Sequence, residues 1–133
     1  MRVSELEQRQ MEAAKILAMV REQEAELKNI IKSQLHNSEQ MENLYNLDVL
    51  NIQQIEAHRE FGIKLTVDIQ NQERKLNNTK MFFTKKQKEV QEAHKKVEVL
   101  KKLKEKQEKE YYKEFLDAEI KEVDDITSAR FKF

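Results

Sequence analysis

Three histidines, His36, His58 and His94, are the residues best suited to hold a metal or move a proton near neutral pH. Di-iron helical bundles place a Glu three residues before each ligating His. Ser33, Ile55 and Gln91 occupy those positions here. With no Cys, thiolate metal sites and disulfides are excluded, which fits a reducing cytoplasm. One glycine, Gly62, cannot form a phosphate-cradling loop. Ser and Thr are scattered, without the elbow or strand setting that a nucleophile needs. Carboxylates are abundant, but a catalytic pair requires a pocket that separates two pKa values, and a thin helix pair offers little pocket. The sequence therefore predicts no catalytic residues, no metal and no cofactor, in a protein that acts by binding.

The aromatic residues are better placed for binding. Phe82-Phe83 and Tyr111-Tyr112 are adjacent pairs, Phe115-Leu116 repeats the pattern, and Phe131 and Phe133 close the chain. Successive helix residues sit about 100° apart, so one narrow seam cannot bury both members of a pair. Either one ring packs and the other lies under a Lys stem, or the outward ring anchors a partner.

These residues must be positioned by helices. The chain has one Gly, no Pro and 38% charged residues, a mixture that helices tolerate and turn-rich sheets do not. Stepping by seven from Leu6 gives Ala13, Val20, Leu27, Gln34, Met41, Asp48, Ile55, Gly62, Ile69 and Leu76, mostly apolar. An interleaved set supplies Val3, Leu17, Ile31, Tyr45 and Ile52. Alternating steps of three and four keep a stripe on one helix side, the pattern of a coiled-coil seam.

A single seam needs a partner, and the weakest part of this one is HNSEQMENLYNLD, residues 36–48. Asn77-Asn78-Thr79 and Gly62 are lesser candidates for a break. The expected fold is all-α: an antiparallel two-helix coiled-coil hairpin with arms of unequal length. One domain, 1–133, would hold helix one at about 3–42, a turn at about 43–48, and helix two at about 49–130, capped by Asn46 or Asp48. At 1.5 Å per residue the second helix would reach roughly 120 Å, and the first could cover about half of it.

The formal net charge is zero but uneven. Residues 1–60 carry seven Lys/Arg against eleven Asp/Glu, or −4, and residues 61–133 carry eighteen against fourteen, or +4. Residues 85–113 hold eleven Lys and six Glu, whereas 114–125 hold one Lys and six acids. The basic band is too interspersed with Glu, and too poor in Arg, to favour nucleic acid. No apolar run approaches the ~20 residues that span a bilayer, so no direct membrane insertion is expected. The start, MRVSELEQRQ, has no apolar core of a signal peptide. In VEVLKKLKEKQEKEYY, 97–112, the apolar stripe of Val97, Leu100 and Leu103 stops for seven polar residues, Lys104 to Glu110.

The segment KKVEVLKKLKEKQEKEYYKEFLDAEIKEVDDITSARF, 95–131, resembles the C-terminal half of the flagellar FliJ family. The correspondence runs through Val97, Leu100, Leu103, Lys104, Glu105, Tyr111 or Tyr112, and Glu122-Val123-Asp124-Asp125. RVSELEQRQMEAAKILAMVREQEAELKN, 2–29, resembles the family's first helix without its usual basic-aromatic start, which leaves the natural start open. The resemblance implies a non-enzymatic component of the flagellar type III export apparatus, similar to the γ subunit of rotary ATPases. It implies a monomer on its own, cytoplasmic and peripheral at the inner face of the membrane near the flagellar base. The implied partners are the hexameric export ATPase, the cytoplasmic domain of the export-gate membrane protein, and export chaperones. Phe61, Leu65 and Ile30 match gate-binding positions, although Ser33 and Asn37 stand where tyrosines are usual.

For the ATPase, the polar stretch and its aromatic border nominate Lys104, Lys106, Tyr111, Tyr112 and Phe115, with one tyrosine ring inward and one outward. Two other classes of reading remain open. One is a structural dimer in which 43–48 is helical. The other is a prefoldin-like chaperone arm that uses Phe131 and Phe133.

Overall fold

The computed structural model describes the backbone of residues 2–131 and the side chains of residues 4–130. Met1, Val3, Phe131 and Phe133, which carried expectations above, lie wholly or with their side chains outside the described residues. Two helices account for almost all of it: α1, Arg2–Tyr45, and α2, Ile52–Phe131. Glu, Lys and Gln favour helix throughout, and no Pro interrupts either element. There is no strand among the described residues, and no helix is long and apolar enough to cross a membrane. The chain is all-α.

The helices stop at asparagines, somewhat beyond the expected turn. The Asn46 N–H closes α1 by donating to the carbonyls of Glu42, at 3.2 Å, and Asn43, at 3.3 Å. Asn51 then starts α2: its Oδ1 accepts the Gln54 N–H at 3.2 Å, and its carbonyl accepts the Ile55 N–H at 3.1 Å. That is the geometry of an N-cap. The cap is Asn51 rather than Asn46 or Asp48, so α2 begins at Ile52 and not at Val49. The break at 46–51 turns the chain back, which removes the dimer reading that required 43–48 to be helical throughout.

One compact unit is Glu7–Val90. In it α1 and α2 pack antiparallel, because partners on α1 climb as those on α2 fall: Arg9 with Glu89, Glu24 with Lys80, Gln34 with Thr66, and Asn37 with His58. Along α1 the less exposed residues recur at Arg9, Ala13, Ile16, Val20, Gln23, Leu27, Ile30, Gln34, Asn37, Met41 and Leu44. Along α2 they recur at Ile55, His58, Gly62, Leu65, Ile69, Gln72, Leu76, Thr79, Phe83, Lys86 and Val90. Steps of three and four alternate without a break on both helices, which defines a coiled-coil seam. The dry part of it is thin. Val20, Ile55, Leu65 and Leu76 are its buried apolar residues, 5–8% exposed.

Half of the expected seam shifts by one residue. The set stepping from Leu6 lies inward as expected, apart from Asp48, which falls in the turn. The interleaved set does so only in part: Leu17 is half-buried, whereas Ile31, Tyr45 and Ile52 are 46%, 56% and 65% exposed. The inward positions are Arg9, Ile16, Gln23, Ile30, Asn37 and Leu44. Counting apolar residues misses them because three of the six are polar, and each finds a partner on α2.

Those three form polar layers 14 residues apart on each helix. Asn37 Nδ2 donates to the His58 carbonyl, and Asn37 Oδ1 meets His58 Nδ1, both at 2.8 Å. Gln72 Nε2 donates to the buried Gln23 carbonyl at 3.1 Å. Arg9 and Lys86 bracket the third layer with Glu12 and Glu89, at 3.3–3.4 Å. Gly62 belongs to the first layer, since a Cβ there would lie 3.1 Å from Asn37 Nδ2. A slip of one heptad would set His58 against Ile30 or Leu44, and Asn37 or Gln23 against Leu65, so the layers favour one register as buried polar seam residues do.

The second unit contains the N-terminal residues up to Leu6 and α2 from Gln91. Here Ala93 is buried, 4% exposed, and Val97 is half-buried. From Glu98 to Arg130 every described side chain is exposed.

Candidate partner-binding surfaces

Among the described residues there is no group of three potential metal ligands. His58 is engaged by Asn37. What the structure does present is apolar surface in two places.

The first is the C-terminal part of α2. Continuing the three-four count past Val97 gives Leu100, Lys104, Gln107, Tyr111, Glu114, Ala118, Lys121 and Asp125. After Leu100 this phase is mostly polar. The apolar residues resume on other positions: Tyr112, Phe115, Leu116, Ile120, Val123 and Ile126, which are 38–62% exposed. Spacings of three and four again make them one stripe on a helix. Lys104–Glu110 is therefore the interval in which α2 abandons one stripe phase and takes up another.

Each residue nominated there is accessible. Tyr111 is 73% exposed, Tyr112 62% and Phe115 52%, and Lys104 and Lys106 are exposed. The expectation of one inward and one outward tyrosine is not met, because both rings face solvent. The Phe pair behaves differently. Phe83 is a half-buried seam residue, while Phe82, 44% exposed, has Lys86 Nζ 5.3 Å from its ring centroid. One ring packs and the other lies beneath a cation. The absence of such an arrangement at Tyr111-Tyr112 separates a packing pair from a free one. Sequence reasoning stopped at Phe115 and missed Ile120, Val123 and Ile126, although their spacing from Tyr112 and Leu116 carried the signal.

The second surface lies beside the turn, within Glu7–Val90. Lys32, His36, Asn37, Gln40, Leu44, Leu47, Ala57, His58 and Phe61 are among the residues lining an open cleft of about 920 Å³. Phe61 is 46% exposed on its wall and Ile30 is half-buried. Leu65 is only 6% exposed. It packs in the seam one turn from Phe61 and presents little surface of its own. Sequence alone could not separate these two, since both are large apolar residues at helix spacing.

A model of the family described as flagellar FliJ protein matches residues 1–132. Comparison with curated proteins and with solved structures returns no match.

Proposed function

Because the chain belongs to the flagellar FliJ family, a component of the flagellar export apparatus, we propose that it is the apparatus's central stalk and adaptor. In this reading the C-terminal part of α2 enters the ring of the hexameric export ATPase and promotes its assembly and activity. The hairpin end engages the cytoplasmic domain of the export gate, with Phe61 as the accessible anchor, Ile30 at its edge and Leu65 behind. The protein also hands on empty export chaperones, works at the cytoplasmic face of the membrane, and catalyses nothing itself.

One observation carries the ATPase assignment. Among the described residues, every side chain of α2 over Glu98–Arg130 is exposed, and ten of them are large and apolar, 38–73% exposed. Isolated apolar residues on a surface are ordinary, but a periodic stripe of this length on a bare helix calls for an external partner. Its polar neighbours suit a ring. Exposed ion pairs contribute only ~0–1 kcal/mol each, so Lys104, Lys106 and their Glu neighbours can be engaged and released by successive subunits. Tyr111, Tyr112 and Phe115 supply the firmer contacts.

The test is co-elution of the purified chain with the export ATPase on size exclusion. The full chain is expected to travel with the ATPase, and a chain lacking residues 111–133 is expected not to. Co-elution that survives the deletion would remove this segment from the interface.

A further inference from the structure

Between Lys32 and Arg59 the chain has no Lys or Arg over 26 residues, although it has 25 in all. Four acids fall in that interval, Glu39, Glu42, Asp48 and Glu56. The same interval contains the turn, in which Asn46, Asp48 and Asn51 are interspersed with bare apolar side chains. Tyr45, Leu47, Val49, Leu50 and Ile52 are 56%, 55%, 82%, 50% and 65% exposed, and Val49 is the most exposed of the large apolar residues described. Coiled-coil ends are free to be polar, and helix caps do not require five bare apolar side chains. Asn51 already supplies the cap through its own side chain.

We infer that the hairpin end is a plug that enters an apolar socket rimmed by Lys and Arg on a protein partner. The apolar side chains of 45–52 would fill the socket, and the four carboxylates would meet its rim. The neighbouring cleft, walled by Leu44, Leu47, Ala57 and Phe61, would receive one side chain of the partner in return.

The charge pattern selects this occupant. An acidic end whose cleft is lined by Lys32 but by no Lys/Arg cluster carries too little positive charge for anionic lipid headgroups, which recruit such clusters. A second copy would bring the same four carboxylates against the first. A basic-rimmed protein socket is the occupant that both the apolar and the charged features fit, in the manner of complementary protein interfaces.

This inference rests on the gate assignment above, and the probe is the purified cytoplasmic domain of the export gate. Wild-type chain is expected to bind it, with affinity falling as salt rises from about 0.05 to 0.5 M. V49S/L50S is expected to weaken binding about tenfold or more, because two apolar anchors are lost. Both positions are exposed, so the helix content and melting of this variant should match wild type. The variant E39Q/E42Q/D48N/E56Q is expected to bind more weakly than wild type at low salt and to lose most of the salt dependence.

If F61S weakens binding but V49S/L50S does not, the gate assignment stands and the plug is wrong. If wild type does not bind the gate domain at all, both fail. Improved binding of the charge-neutralised variant would overturn the basic rim. Flotation with phosphatidylcholine vesicles that is abolished by V49S/L50S, or a dimer by light scattering that the same change dissociates, would overturn the protein socket in favour of a bilayer or a second copy.

Discussion

Asn37 and His58 meet across the helix pair by two contacts of 2.8 Å each, one to the ring and one to the backbone carbonyl. Asn37 is 5% exposed, so this exchange is shielded from water and both of its ends are satisfied. A second polar contact across the pair lies 14 residues away on each helix, where Gln72 donates to the Gln23 backbone carbonyl. The two layers make the register of the hairpin specific without a large dry core.

Asn37→Ala should therefore cost about 1–3 kcal/mol, because a part-buried carbonyl and ring nitrogen of His58 each lose the contact from Asn37 while a small void opens. Urea unfolding read by circular dichroism measures it. A change within a few tenths of a kcal/mol would mean that the pair contributes nothing.

Gly62 makes room for Asn37, and its own sign depends on that residue. Replacing a mid-helix Gly with Ala gains about 1 kcal/mol of helix propensity. In the wild-type background Gly62→Ala should recover little of this or lose stability, since Asn37 is held by His58 and cannot easily retreat. In an Asn37→Ala background the full gain should appear. A double-mutant cycle checks it, and strict additivity would rule out the steric coupling.

Gln23 behaves differently from Asn37, because its Oε1 is buried with no partner while its backbone carbonyl accepts from Gln72. Gln23→Met keeps the backbone contact and removes the orphan oxygen. It should raise stability by about 1 kcal/mol. Destabilisation by a similar amount would show that Oε1 is satisfied in solution.

The Arg9, Glu12, Lys86 and Glu89 cluster sits in the same seam but is partly exposed, with side chains 19–38% accessible. Glu89→Gln should cost under ~1 kcal/mol, and the loss should shrink at 1 M salt as screening removes what the network adds. A salt-independent loss would point to packing instead.

The paired helices and the neighbourhood of the turn were legible in the heptad of Leu6 to Leu76, because periodicity records one-sided burial directly. Polar seam members were not. Arg9, Gln23 and Asn37 look like surface residues until their partners, 80, 49 and 21 positions away, are brought opposite. The cap was ambiguous because Asn46, Asp48 and Asn51 all offer a suitable side chain, and only the backbone path decides which one reaches an N–H. Phe61 and Leu65 are alike in sequence and opposite in exposure. The gap at Lys104–Glu110 was visible as an oddity. That it separates two stripe phases became clear only when the seam was fixed on both helices.

The central claim is that the bare stripe of α2 is made for the export ATPase. ATP hydrolysis by the purified ATPase, titrated with wild-type chain and with the variant Y112S/L116S/I120S/V123S, tests it most directly. All four residues are exposed, so the variant should keep the melting profile of the wild type. Wild type should stimulate hydrolysis, and the variant should lose most of that stimulation. Equal stimulation by both would contradict the account.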